Sequence, residues 1–182
     1  MPHSSQSVSG QTGAGTSRRM SDLGRYLRTH LSGSTAGVNL FDRAARGLPE
    51  PASSIVRRIH GELVEERVAL RAMMDALGVH ENPLLNSMAL AAERVARLKP
   101  NGDLLHRTTM TDLVELESMV IALGGKLAGW ESLLAIVDDE PRLDRALLEQ
   151  LAAQAREQQA TVRELHRAAA ARALGPGSGV RQ

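Results

Sequence analysis

IVRRIHGELVEERVALRAMMDAL, residues 55–77, decides the fold. Ile55, Ile59, Leu63, Leu70, Met73 and Leu77 return every three or four residues, the spacing of a helix with one apolar stripe. Glu66 falls close to the centre of that stripe. Glu62, one turn earlier, shares its face, and Glu65 points well to one side. A carboxylate buried alone is very unfavourable. Glu66 must therefore meet a hydrogen-bonding partner such as His30, a paired arginine, or a metal ion.

The same period recurs on both sides of this segment. A first helix is expected from about Ser21 to Arg46, with Leu23, Leu27, His30, Ser34, Gly37, Phe41 and Ala45 on one face. Gly33 and Gly37 lie four apart near that face. Each glycine costs ~1 kcal/mol against alanine in a helix, so a close helix crossing is the expected compensation. GLPEPASS at 47–54 breaks the chain and offers Ser53 or Ser54 as the cap of the second helix. GVHENP at 78–83 ends that helix near Leu77. A shorter helix follows, carrying Leu84, Met88, Ala91, Val95 and Leu98, and KPNG at 99–102 is a turn.

A third long helix is expected from Thr109, paired with Asp112 as a cap, to about Val137. Its stripe holds Leu113, Leu116, Val120, Leu123, Leu127 and Leu134, with Glu117 nearer the edge. Gly124 and Gly125 imply a tight packing point or a local distortion. DDEPR at 138–142 reads as the start of a fourth helix, which runs to about Leu174. Its face is Leu147, Leu151, Ala155, Val162, Leu165 and Ala169, joined by Gln158 and His166.

Every long helix thus carries a hydrophilic residue on its apolar stripe: His30, Glu66 with Glu62, Glu117 and Gln158. The 1–2 and 3–4 loops are short and the 2–3 connection is long. The fold class is all-α, an antiparallel four-helix bundle of ferritin-like topology with a long, helix-containing 2–3 crossover. Residues 20–174 form the bundle. Residues 1–19 and 175–182 carry almost no large apolar side chains and are expected to be disordered tails.

Composition agrees with helices. Hydrophobic residues make up 42% and aromatics only 2%, which argues against a sheet protein. The 22 basic and 21 acidic residues nearly cancel, so no field points to nucleic acid or a membrane surface. No apolar run approaches the ~20 residues of a membrane span. No cysteine is present, which excludes thiolate metal sites and disulfides. A cytoplasmic protein is the simplest reading.

No catalytic constellation emerges. The few histidines and serines suggest no Ser–His–Asp arrangement, and GSTAG lies inside the first helix without the lysine of a phosphate loop. Lys126, one turn from Trp130, reads as a packing or cation–π partner.

YLRTHLSGSTAGVNLFDRAA (26–45), IHGELVEERVALRAMMDALGV (59–79) and TDLVELESMVIALGGKLAGW (111–130) resemble an uncharacterised, mainly actinobacterial family of ferritin-like helical bundles. The resemblance covers about 20–174 and brings no activity with it. Active ferritin-like proteins place a Glu on each of two helices and Glu-x-x-His on each of the other two. Here Glu66 is followed three later by Ala69, Glu117 by Val120 and Gln158 by Thr161, and the first helix offers only His30. The expected function is a degenerate ferritin-like bundle acting as a non-catalytic structural or interaction module that forms homo-oligomers. The alternative is a metalloprotein whose atypical site is built from His30, Glu62, Glu66 and Glu117 and holds iron, manganese or zinc. A small-molecule binder with a polar central pocket is a third class.

Overall fold

The computed structural model describes residues 9–81 and 107–176. Four long α-helices carry the fold: α1 (Ser9–Gly47), α2 (Ala52–Ala76), α3 (Thr109–Leu134) and α4 (Arg145–Leu174). A 3₁₀ turn at Val137–Asp139 lies between α3 and α4, and no strand occurs among the described residues. The short helix and turn expected between 84 and 102 lie outside the described residues, as do 1–8 and 177–182.

Local chemistry sets the helix ends, and four of them differ from the sequence reading. α1 starts at Ser9, twelve residues before Ser21. Ser17, Arg18 and Arg19 of this extension are exposed. Once a helix is nucleated, each added residue gains a backbone hydrogen bond without further nucleation. Ser53 does not cap α2. Its side chain turns inward and its Oγ donates to Ala45 O at 2.7 Å, tying the start of α2 to the end of α1. Thr108, rather than Thr109 with Asp112, caps α3. Its Oγ1 accepts from Thr111 N at 3.2 Å, while Thr111 Oγ1 accepts from Thr108 N at 3.4 Å. DDEPR forms the 3₁₀ turn and the loop after it. α4 begins later, where Asp144 Oδ1 accepts from Leu147 N at 3.1 Å.

α1 packs on α2 and α3, and α4 packs on α3 and α2. The buried side chains divide lengthwise into two apolar cores. One gathers Leu27 and Leu31 of α1, Leu70, Met73 and Met74 of α2, Trp130 and Leu133 of α3, and Leu148, Leu151 and Ala155 of α4. The other gathers Phe41, Ala44 and Ala45, then Val56, Ile59 and Leu63, then Leu116, Met119 and Leu123, then Val162 and Ala169. Each core takes the N-terminal half of some helices and the C-terminal half of others. α1 and α4 therefore run one way and α2 and α3 the other. The chain leaves α2 at one end of the bundle and enters α3 at the opposite end.

The heptad-like spacing passes through both cores without a break. On α2 it reads Ile59, Leu63, Glu66, Leu70, Met73; on α3, Leu116, Met119, Leu123, Lys126, Trp130, Leu133; on α4, Leu148, Leu151, Ala155, Gln158, Val162. On α1 it reads Leu27, Leu31, Ser34, Val38, Phe41. One position per helix lies between the two cores, and in all four helices that residue is hydrophilic: Ser34, Glu66, Lys126 and Gln158.

Candidate functional site

Three of those four residues form one hydrogen-bonded layer. Glu66 is 4% exposed and Gln158 2%, and the Lys126 side chain is 16% exposed. The Lys126 ammonium donates to Glu66 Oε2 and to Gln158 Oε1. Gln158 Nε2 donates to Glu66 Oε1 at 2.9 Å and to Glu62 Oε2 at 2.7 Å. Glu62, half-buried, takes Arg58 through its other oxygen. The chain of contacts runs from surface to centre: Arg58, Glu62, Gln158, Glu66, Lys126. A pocket of about 200 Å³ opens beside it between α2 and α4, lined by Arg58, Glu62, Gln154, Glu157, Gln158 and Thr161.

This arrangement answers the problem posed by Glu66. Its carboxylate meets an ammonium and an amide, so no buried charge stands alone. Gln158 is the connector because an amide both donates and accepts; each of its polar atoms is used. Burial pulls the Lys126 pKa below the usual lysine value, and the adjacent Glu66 and Glu62 carboxylates oppose that shift.

The residues expected to share a site separate into two groups. Glu62 and Glu66 meet in the layer. His30 does not join them, and it forms no hydrogen bond or ion pair with Glu66. Its half-buried ring rests on α3, where a Cβ at Gly129 would come within 2.8 Å of His30 Nδ1. Tyr26 lies alongside with ring centroids 4.4 Å apart. Burial lowers the His30 pKa. Equal distance from a turn predicts equal height along a hairpin but not direction around the helix, and the His30 ring is directed at the α1–α3 seam. Glu117 is exposed on α3. Its neighbour Glu115 is drawn inward instead, accepting from Arg43 Nε at 3.1 Å and Arg107 Nη2 at 2.8 Å. His166 is half-buried on α4, well past the layer.

Among the described residues, no three His, Asp or Glu side chains converge in a way that could hold a metal ion. The inner oxygens of Glu62 and Glu66 are occupied by Gln158 and Lys126, so the donor set His30, Glu62, Glu66 and Glu117 does not fit a metal here.

Lys126 is the member of the layer that the sequence reading misplaced. It does not stack on Trp130; its ammonium turns to Glu66. The signal was the 3–4 spacing Leu123–Lys126–Trp130, which puts Lys126 at a core position. Gly37 corrects a second expectation. A Cβ added there would meet nothing within 4 Å, so no close helix crossing compensates that glycine. Gly124 does mark a tight point, since its Cβ would come within 3.0 Å of Gln159 Nε2.

No helix among the described residues is long and apolar enough to cross a membrane. Comparison of the chain with family models, curated proteins and solved structures finds no match.

Proposed function

We propose that this chain is a degenerate ferritin-like bundle, a non-catalytic structural or interaction module that self-associates. The observation that carries the reading is the Lys126 ammonium between Glu66 and Gln158. In active bundles of this kind, inward carboxylates from several helices neutralise metal cations at the centre. Here the cation facing the central carboxylate is part of the polypeptide. A divalent ion entering the layer would have to displace Lys126 from Glu66, and Gln158 from both carboxylates. The remaining charge, at most two carboxylates, would then face the ion together with an expelled ammonium a few ångströms away. That competition disfavours a metal centre and suits a structural role.

Self-association has its own support. Val68 is 61% exposed and Ile121 63%. Val64 and Val68 stand one turn apart on the outer face of α2, so an apolar strip is available to a second copy.

Untagged protein, titrated anaerobically with Fe²⁺ and separately with Mn²⁺ and Zn²⁺, should show no stoichiometric binding by calorimetry or elemental analysis. Two iron atoms per chain with oxygen consumption, lost in Glu66→Ala, would overturn the reading in favour of a metalloenzyme. Light scattering should show an oligomer that Val68→Glu weakens. A monomer at all concentrations would remove the self-association part alone.

A further inference from the structure

The geometry points to a gate in α1: residues 32–38 open as a local unit and admit solvent and small solutes to the Lys126–Glu66–Gln158 layer. Four independent observations meet there.

The first is what α1 contributes to the layer. Its residue at that height is Ser34, and the Ser34 hydroxyl donates to Leu31 O at 2.7 Å on its own helix. α2, α3 and α4 are tied together there through charged and amide groups, whereas at this height α1 closes the fourth side without a hydrogen bond to any of them. The second is burial. No residue from 32 to 40 is buried, although Glu66 and Gln158 at the corresponding height on α2 and α4 are, and Lys126 of α3 is half-buried.

The third is the helix itself. Gly33 and Gly37 both sit in open space, where an added Cβ would find no atom within 4 Å. Neither is kept small by a neighbour, and glycine is the poorest helix former after proline. Thr35 Oγ1 also donates to Leu31 O, at 3.2 Å. Two hydroxyls thus bond to the carbonyl that should accept the Thr35 amide, and such back-bonding loosens and bends helices. The fourth is anchoring. Leu27 and Leu31 hold one half of α1 in the first core, and Phe41, Ala44 and Ala45 hold the other in the second. The segment between can open while both ends stay docked, as expected for a low-stability unit within a stable fold.

Hydrogen–deuterium exchange on the full chain tests this. Amides of 33–38 should exchange about tenfold or more faster than those of 24–31 and 41–46. Gly33→Ala with Gly37→Ala should slow exchange of 33–38 by roughly tenfold, the combined helix-propensity change, and leave the flanks unchanged. Acetylation of Lys126 by a water-soluble succinimidyl ester, read by peptide mass, should slow by a similar factor in the same variant. Equal protection along α1 overturns the gate. So does a double variant that protects all of α1 alike, or one that leaves Lys126 labelling unchanged.

Discussion

At one height in the bundle, three helices and the fourth solve different problems. On α2, α3 and α4 the position between the two apolar cores carries Glu66, Lys126 and Gln158, and burial forces these groups to find each other. On α1 the same position carries Ser34, and the segment around it is Ser32-Gly33-Ser34-Thr35-Ala36-Gly37. Small residues with local hydrogen bonds need no partner, so this stretch of α1 makes no polar tie across the bundle. The lesson is that a buried charge ties helices together, because leaving it unpaired is so unfavourable. A small hydroxyl makes no such demand.

The largest effect should come from the tied side. Lys126→Met leaves the Glu66 carboxylate buried without its cation and should destabilise the fold by about 3–5 kcal/mol. Urea unfolding measures this. Adding Glu66→Leu to the same chain should recover most of the loss, because replacing both charges with apolar groups is often neutral. A single variant as stable as wild type would mean that water already reaches the layer.

Leu148→Ala, in the core on one side of the layer, should cost about 2–5 kcal/mol through lost burial and a residual cavity. Leu148 is fully buried, so a loss well below that range would indicate that this core collapses around the gap. Additivity with Lys126→Met would show that core and layer act as separate units.

The α1 side should respond with the opposite sign. Gly37→Ala places a methyl group in open space and should stabilise by about 0.5–1 kcal/mol. A loss of stability would mean that something covers Gly37, and the contrast between the two sides would disappear.

The smallest effect is a pH slope from His30. Burial lowers its folded pKa, so the unfolded chain binds its proton first as pH falls. Stability is then full above the unfolded value near 6.5 and declines as pH drops through it toward the folded value. His30→Gln should flatten this window in thermal melts at pH 5 to 7.5. An unchanged slope would place the ring in water rather than against Gly129.

Much of this architecture was legible in the residues. The 3–4 spacing around Leu63, Glu66 and Leu70, and again around Ala155, Gln158 and Val162, identifies helices and names two members of the layer. The prolines at 49 and 51 mark the first hairpin. Helix ends were harder, because Thr108 and Asp144 became caps through side-chain geometry that several neighbouring Ser, Thr and Asp residues could have supplied equally well. Lys126 lay on the same period but was matched to Trp130, its nearest neighbour in sequence, rather than to Glu66, sixty residues away.

Periodicity, then, determined by itself that the chain is all-helical and that Glu66 and Gln158 face inward, since a helix repeats its faces through local geometry alone. Only the tertiary structure decided which groups meet. It put Lys126 on Glu66, turned His30 onto Gly129, left Glu117 in water and left Gly33 and Gly37 without neighbours. Those outcomes depend on the rotation of each helix about its axis, which is settled when four stripes pack together and which no single stripe contains.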